Sequence, residues 1–276
     1  MRRYQTGSVV HYGFDHLTEY PDLVNAVFAR HGGASAWPYA TLNASLAVGD
    51  EAGAVVENRR RMAAALGFVL GDLVAAHQVH GTHVAIVSEA DAGRGSLDAA
   101  SALPETDALV TNLPGIMLSL RFADCVPVLL YDPVHRAVGI AHAGWRGTVG
   151  GVAAGTVAAM AGSFGTRPAD LLAGIGPSIG PCCYNIDAPR AQLVRHSLPW
   201  SSEVLSLERE APPHKDPWHL DLWLADRRQL MDAGLGEEHI QMAGLCTACR
   251  TDEFYSHRAE AGQTGRFAAV IGLRGN

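Results

Sequence analysis

Short runs of apolar residues recur along the chain, separated by glycine, proline and charged residues, which is the pattern that β-strands and their turns produce. Strands are predicted at six of these runs: VNAVFA (24–29), THVAIV (82–87), IMLSL (116–120), VPVLLY (126–131), AVGIAH (137–142) and FAAVIGL (267–273). Asp132 and Pro133 lie between the fourth and fifth runs and favour a turn. These two strands are therefore predicted to form a hairpin.

Longer segments with helical spacing predict helices at about 51–66, 149–162, 187–197 and 221–233. The last helix can be capped by Asp221 and ended by Gly234. Residues 198–218 contain four prolines and are predicted to form a surface excursion rather than a linker between domains. Helices combined with a hairpin favour a mixed α/β fold over a doubly wound parallel sheet. We expect a single domain over 1–276, with a mixed and antiparallel sheet flanked by helices.

Composition narrows the class of protein. The chain is 48% hydrophobic and 18% charged, which predicts a large core. Its formal net charge of −7 makes a nucleic-acid partner unexpected, because proteins that bind phosphate backbones are usually basic. No apolar run approaches the ~18 residues of a membrane span, and the first residues lack the apolar core of a signal peptide. Five cysteines do not make a disulfide scaffold, so a cytoplasmic protein is expected, with its oligomeric state left open.

One arginine interrupts the apolar face of the first predicted helix. At 100° per residue, Val55, Met62 and Leu66 fall on one stripe, and Arg59 lies in its middle. A buried guanidinium needs a partner, because an unpaired buried charge is costly. Arg59 therefore either pairs within the structure or reaches a pocket to hold an anion.

Two stretches each offer one residue that can bind a metal. In AHAGWRG (141–147), His142 ends a predicted strand and meets a glycine-rich turn. In FADCVPV (122–128), Cys125 follows an acidic residue between two apolar strands. Taken alone, each is equally compatible with an ordinary core residue.

A third stretch, HQVHGTH (77–83), has histidines at a spacing of three. On a strand, His80 would point away from His77 and His83, so one ion is expected to take only one of them. We choose His80, because Gly81 can supply a bend beside it. With Cys125 and His142 it forms a His₂Cys set, which suits zinc with an open fourth position, or copper.

The other four cysteines form two pairs. Cys246 and Cys249 make a C-x-x-C motif, and Cys182 and Cys183 are adjacent. A second zinc site of four cysteines is one interpretation, although adjacent cysteines seldom bind the same tetrahedral ion. Packing or redox-sensitive thiols are the alternative.

Several motifs of this chain, in the same order, resemble the laccase-domain family, whose members were first named multicopper polyphenol oxidases. They are RHGGAS, TLNASLAVGDE, VENRRR, QVHGTHV, ADCVPVLLYD, GIAHAGWRGTVGGV, GIGPSIGPCCYNI, HLDLWLADRRQL and CTACRTDEFYSHR, and they span about residues 24–273. His257 stands where relatives usually carry an aromatic residue.

The resemblance implies a single mixed α/β domain with a metal held by His80, Cys125 and His142. It also implies that Asn43 and Arg59 line the pocket near the metal. Members of the family split adenosine, inosine or methylthioadenosine with phosphate, some deaminate adenosine, and some relatives are linked to editing of peptidoglycan precursors. The implied partners are therefore a purine nucleoside and phosphate, with zinc as cofactor and copper as the alternative.

Roles follow for the remaining candidates. Arg59 and Arg146 are expected to neutralise phosphate, and Asp124 either carries a proton or supports the neighbouring ligand. A copper polyphenol oxidase is a weaker reading, because a trinuclear copper cluster typically uses H-x-H pairs and the chain has none. A metal-free hydrolase with Cys125 as nucleophile and His142 as base, and a non-catalytic editing factor, are further alternatives.

Overall fold

Two six-stranded sheets form the centre of the structure, a computed structural model that describes residues 1–208 and 216–275. The strands are β1 (Arg2–Thr6), β2 (Val9–Gly13), β3 (Leu23–Phe28), β4 (Leu73–Ala75), β5 (Val84–Ile86), β6 (Ala108–Thr111), β7 (Met117–Phe122), β8 (Val126–Asp132), β9 (Ala137–Ala143), β10 (Leu172–Ile175), β11 (Asn185–Ile186), β12 (Leu205–Leu207), β13 (Trp218–Leu220), β14 (Ile240–Met242) and β15 (Phe267–Leu273). The α-helices are α1 (Ala52–Leu66), α2 (Trp145–Gly150), α3 (Val152–Phe164), α4 (Ala188–Ser197), α5 (Ser201–Val204) and α6 (Leu222–Asp232). Short 3₁₀ turns lie at Asp15–Leu17, Leu70–Asp72, Glu89–Asp91, Pro168–Asp170 and Glu237–His239.

Both large sheets are mixed. The first has the order β1-β2-β3-β15-β7-β4, and the second has the order β14-β10-β8-β9-β6-β5. Only the pairs β4–β7, β10–β14 and β5–β6 are parallel in these two sheets. A third sheet, β11-β13-β12, is fully antiparallel.

Side chains point alternately to the two faces of each central strand, and this alternation builds a layered core. Leu129 and Tyr131 of β8 belong to the cluster between the two large sheets, whereas Val128 and Leu130 pack with helices α3 and α6. The first sheet packs in the same way, with Met62 of α1 against its outer face. Period-two side chains thus give a helix–sheet–sheet–helix arrangement.

The mixed α/β fold predicted from the sequence is confirmed, as is the hairpin, because β8 and β9 pair antiparallel from Asp132↔Ala137 to Val126↔Ala143. The helix predicted at 149–162 is instead two helices. Gly151, at φ 84°, ends α2 and starts α3, a left-handed conformation that glycine adopts without strain.

The predicted surface excursion at 198–218 is wrong in part. Leu198, Trp200 and Val204 are buried in the core, and strand β12 of the third sheet lies in this segment, whose last residue, Trp218, begins β13. Residues 209–215 of it lie outside the described residues. No helix among the residues that the structure describes is long and apolar enough to cross a membrane.

Candidate metal centre and cleft

Antiparallel pairing of the central strands β8 and β9 places two of the predicted ligands at the same end of the second sheet. Pro127 of β8 pairs with His142 of β9, so Cys125, just before β8, lies beside His142. His80 lies in the loop between β4 and β5. The ligand atoms of the three residues are all within 4.8 Å of one another. The structure therefore brings together the three side chains that the sequence selected.

Asp107, which the sequence analysis did not identify, organises this group. Its carboxylate is fully buried and accepts hydrogen bonds from the backbone N–H groups of Val79 (3.1 Å), His80 (2.9 Å) and Gly81 (2.7 Å). The same carboxylate lies 2.8 Å from Nδ1 of His142. A proton on Nδ1 leaves Nε2 of His142 free to bind a metal. One carboxylate thus holds both histidines.

Burial alone would raise the pKa of Asp107, but hydrogen bonds from His142 and from Gly81 and Val79 lower it. Asp107 is therefore ionised at neutral pH. No sequence motif announces such a residue, because most of its partners are backbone groups. The one available signal is an acidic residue placed immediately before the apolar run ALV.

The other two histidines of the HQVHGTH stretch stay outside the ligand group. His77 is exposed on the wall of the cleft, and Nδ1 of His83 lies 3.1 Å from the hydroxyl of Thr106. Instead of forming a strand, the backbone at His80 adopts φ 60°. This left-handed conformation is uncommon for residues other than glycine and turns the imidazole towards Cys125.

Gly144 allows the ligands to approach. A Cβ added there would lie 3.0 Å from Sγ of Cys125 and 3.0 Å from Cδ2 of His80. A side chain at this position would therefore separate two of the three donors. Together with the donor set itself, two imidazoles and one thiol, this cradle fits a zinc ion, and the same donors accept copper.

The charges of the group also fit a cation. Burial alone would raise the pKa of Cys125, but the charge of His142 and hydrogen bonds from His142 and His80 lower it to about 6. Burial alone would lower the pKa of His142, but the Cys125 thiolate and Asp107 raise it to about 9, so without an ion Nε2 carries a proton that a bound metal would displace. A thiolate at neutral pH is the form of cysteine that binds metals.

The ligand group lies in the wall of a cleft of about 560 Å³, within the range of small-molecule sites. Trp145 and Tyr184 add aromatic surface to this cleft. Among the described residues, its lining contains one carboxylate, Asp124, and five arginines: Arg121, Arg146, Arg190, Arg258 and Arg266. In a chain of formal net charge −7, this is a local positive site suited to an anion.

Arg121 is a cleft arginine whose hydrogen-bonding groups the protein uses only in part. One terminal nitrogen donates to the carbonyl of Ala76, while Nη1 is buried with no hydrogen-bond partner among the described residues. Burial lowers the pKa of Arg121 to about 10, so the guanidinium remains charged at neutral pH. Arg146, which the sequence analysis selected, is exposed at the cleft, with its guanidinium 4.8 Å from the ring centroid of Trp145.

Asp124 lines the cleft beside Cys125, and both of its carboxylate oxygens accept hydrogen bonds. They come from the Thr247 hydroxyl at 2.7 Å and the Arg258 backbone N–H at 2.6 Å. Its carbonyl accepts from the N–H of Ile179 at 2.9 Å. Asp124 thus joins three segments of the cleft wall.

The expectation that Arg59 and Asn43 line this cleft differs from the structure. Arg59 is buried behind it and donates to the carbonyls of Ala44 (2.9 Å), Gly95 (2.6 Å) and Ser96 (2.8 Å). The guanidinium of Arg59, although it lies on an apolar helical stripe, is therefore stabilised by backbone carbonyls. Burial, and secondarily the charge of Arg121, lower the pKa of Arg59 to about 9.

Asn43 is fully buried and acts on residues that do reach the cleft. Its Oδ1 accepts from the N–H groups of Ser45 (3.0 Å) and Arg266 (2.8 Å), and its Nδ2 donates to Asp50 (2.8 Å). Ser45 and Arg266 both line the cleft. Asn43 therefore positions the cleft wall without forming part of it.

The structure thus combines a layered mixed α/β fold with a His₂Cys group that could hold a metal ion in a cationic cleft. The family model described as multi-copper polyphenol oxidoreductase laccase matches residues 24–274, and the chain belongs to this family. It is 43% identical to a protein of Geobacillus stearothermophilus named purine nucleoside phosphorylase YlmD, over 91% of this chain and 90% of that one. The crystal structure of YlmD from the same species covers 99% of both chains, with a TM-score of 0.90 and 40% identity.

Two more relatives bear on activity. A Bacillus subtilis protein, also named purine nucleoside phosphorylase YlmD, is 38% identical over 92% of this chain and 89% of its own. A protein from an unknown prokaryotic organism, named adenosine deaminase RL5, is 32% identical over 83% of this chain and 85% of its own.

Proposed function

We propose that this chain is a zinc-dependent purine nucleoside phosphorylase that uses phosphate to split adenosine, inosine or methylthioadenosine. The observation that carries the proposal is the pairing of a three-ligand metal group with five arginines in one cleft. The names of the relatives agree with this activity.

His80, Cys125 and His142 are the proposed metal ligands, and Asp107 fixes the two histidines. Zinc bound there supplies a Lewis acid beside the arginines. Cys125 is proposed as a ligand rather than as a nucleophile, because its sulfur lies within 4.8 Å of the nitrogens of two imidazoles. A nucleophilic cysteine needs only one base.

The arginines are proposed to bind phosphate. Arg121 lines the cleft and has a buried nitrogen with no partner among the described residues, and Arg146 and Arg266 are alternatives in the same lining. Guanidinium groups bind phosphate through paired hydrogen bonds. This proposal moves the anion-binding role from Arg59 to Arg121 and keeps Arg146.

The reaction exchanges one bond at C1′ of the ribose. The C1′–N9 bond breaks with its electron pair going to the purine, an oxygen of hydrogen phosphate forms the new bond to C1′, and the proton that hydrogen phosphate gives up goes to the purine. The arginines hold phosphate close to C1′ and balance its charge. Trp145 and Tyr184 are proposed to pack against the purine, and Asp124 is proposed to position Cys125 and Arg258 rather than to carry the proton.

Adenosine deamination is the second candidate, because one relative is named adenosine deaminase. It needs water in place of phosphate and gives inosine and ammonia. The same metal group serves both reactions as a Lewis acid, so phosphate dependence separates them.

The test is product analysis of adenosine incubated with purified protein of measured metal content, with and without phosphate. We expect adenine and ribose 1-phosphate only when phosphate is present. Inosine formed without phosphate dependence would support deamination instead. No turnover of any of the three nucleosides would contradict both proposals.

Single variants then assign the roles. We expect His80→Ala, Cys125→Ala and His142→Ala each to abolish turnover; full turnover in all three would rule out the metal-centred mechanism. Arg121→Met is expected to raise KM for phosphate about tenfold or more with a smaller change for adenosine. Arg167→Gln, which removes the same charge from an exposed arginine paired with Asp170, is the matched control.

A further inference from the structure

The four cysteines outside the metal centre meet at one place in the fold. Cys182 and Cys183 lie in the turn before β11, and Cys246 and Cys249 follow β14. Sγ of Cys249 is 3.7 Å from Sγ of Cys182 and 3.4 Å from Sγ of Cys183. All four sulfurs are within 4.8 Å of one another, and none is in a disulfide.

Backbone pairing, not the sulfurs alone, brings the two segments together. Ser178 forms an isolated bridge with Cys246, and the N–H of Thr247 donates to the carbonyl of Ser178 at 3.0 Å. The N–H of Gly180 donates to Sγ of Cys246 at 3.2 Å. An N–H directed at a sulfur stabilises the thiolate, the form that binds metals.

Gly180 is needed for this approach. A Cβ at Gly180 would lie 2.8 Å from Cη2 of Trp223 and 3.3 Å from Cβ of Cys246. The segment therefore packs its backbone directly against the C-x-x-C turn.

The spacing of the sulfurs matches a single tetrahedral ion. With Zn–S bonds of about 2.3 Å, the sulfurs of a tetrahedral four-thiolate site lie about 3.8 Å apart. The observed separations of 3.4 and 3.7 Å lie just below this value, and no two of the four sulfurs are more than 4.8 Å apart. A disulfide would need two sulfurs at about 2.05 Å and would leave the other two without a role.

We propose that Cys182, Cys183, Cys246 and Cys249 bind a structural zinc ion, separate from the ion at His80, Cys125 and His142. Four soft thiolates select zinc over magnesium or calcium, and four protein ligands close the coordination sphere to substrate. Binding releases the thiol protons to solvent. The adjacent cysteines contribute together because both face Cys249.

The ion would fasten one wall of the cleft. The segment of Cys182 and Cys183 also carries Ile179 and Tyr184, which line the cleft. The segment of Cys246 and Cys249 carries Thr247, whose hydroxyl holds Asp124. The proposed zinc therefore stabilises the surroundings of the reaction without touching the reacting atoms, and it does not depend on which reaction the cleft performs.

The test measures zinc per chain in the full-length protein, purified under reducing conditions. We expect two zinc ions in the wild type, one in the Cys246→Ser/Cys249→Ser variant and one in the Cys125→Ser variant. The last is the matched control, because it removes a cysteine from the other group. If the wild type binds one zinc and Cys125→Ser binds none, the proposal is wrong.

The absorption spectrum of bound cobalt gives a second measurement, which can be made even when a variant is partly destabilised. Cobalt bound to Cys125→Ser is expected to show sulfur-to-cobalt charge transfer of four-thiolate intensity, and this signal should fall by about a quarter or vanish in the additional Cys182→Ser variant. Iron with inorganic sulfide in place of zinc would overturn the assignment. So would a metal-free chain whose mass is lower by two hydrogens, which indicates a disulfide.

Discussion

At the scale of single residues, the geometry of the His80, Cys125 and His142 group depends on residues that are not among its donors. Asp107 accepts three backbone N–H groups from the loop of His80 and also contacts His142. Gly144 leaves the space in which Cys125 and His80 meet. The three side chains supply the donor atoms, and Asp107 and Gly144 determine where those atoms lie.

Asp107→Asn is expected to weaken zinc binding at the His₂Cys group roughly 10–100-fold, because the amide cannot accept the same set of donors and no longer favours the Nδ1–H form of His142. Competition with a chelator of known affinity measures the loss. Asp132→Asn is the matched control. Asp132 is also fully buried and accepts from the N–H groups of Val134 and His135 and lies 2.9 Å from Nδ1 of His135. Equal losses of zinc affinity in both variants would contradict a specific role for Asp107.

Gly144→Ala is expected to lower zinc affinity and leave the fold intact, since its Cβ would contact two ligands at 3.0 Å. Zinc titration and circular dichroism measure the two effects. Gly162→Ala, at an open position in α3, is the control and is expected to stabilise the protein by about 0.5–1 kcal/mol. Unchanged zinc affinity in Gly144→Ala would show that the ligands have room to move.

At the scale of elements, helix α6 carries a buried acid. Asp226 accepts one hydrogen bond, from Thr148 at 3.1 Å, and its other oxygen has no partner among the described residues. Burial raises the pKa of Asp226 well above its ordinary value, and the negative charges of Cys125 and Asp221 add to this. Asp226 therefore lowers the stability of the folded state at pH values where its carboxyl is ionised in the unfolded chain.

The sign of the pH effect follows directly. Between the ordinary pKa and the raised pKa, the unfolded chain has released the Asp226 proton while the folded chain keeps it, so stability falls as pH rises. Asp226→Asn is expected to remove this fall, which makes the variant more stable than wild type at pH 7 but not at pH 4. Urea unfolding at the two pH values measures it.

Asp91→Asn gives a control of opposite sign. Hydrogen bonds, first that of the Ser88 backbone, lower the pKa of Asp91, so its contribution is present at neutral pH and lost as pH falls. This variant is expected to lose stability at pH 7 and little at low pH. A shift of the same sign in both variants would contradict the two assignments.

At the scale of the whole molecule, the candidate metal site joins parts that are distant along the chain. The loop of His80, the start of β6 at Asp107, the turn before β8 and the end of β9 all meet there. An ion that binds only this folded arrangement stabilises the entire chain, by about 2.7 kcal/mol at a hundredfold excess over Kd.

Removal of zinc is accordingly expected to lower Tm, and added zinc is expected to restore it. Differential scanning calorimetry of dialysed protein, with and without zinc, measures the effect. In Asp107→Asn the zinc-dependent rise should be smaller at equal zinc concentration. A Tm that is unaffected by zinc in the wild type would mean that the ion does not distinguish folded from unfolded chain.

The sequence predicted the long apolar strands, the hairpin and most helices, because the spacing of apolar residues within each of these segments indicates its structure. It missed β1, whose sequence RRYQT is mostly exposed, and strands of only three residues such as β4. Such strands exist because neighbouring strands offer hydrogen bonds, which no local pattern records.

The candidate ligands were accessible from residue type, since few side chains bind zinc. Asp107 and Arg121 were not, because the partners of Asp107 are mainly backbone groups and Arg121 gains its meaning only from the cleft that surrounds it. Arg59 shows the converse: its place on an apolar stripe was compatible with a partner inside the structure or with an anion in a pocket, and three backbone carbonyls accept its hydrogen bonds.

The reliance of His80 on three consecutive N–H groups has a consequence for how this loop can evolve or be redesigned. Proline lacks the N–H donor, so a library that randomises residues 79–81 should return no functional clone with proline at any of the three positions. At Val79, whose side chain is 44% exposed, many other residues should be accepted. The loop is thus constrained mainly through its backbone N–H groups. Proline is excluded at all three positions, whereas the imidazole of His80 is the one side chain that the loop must keep.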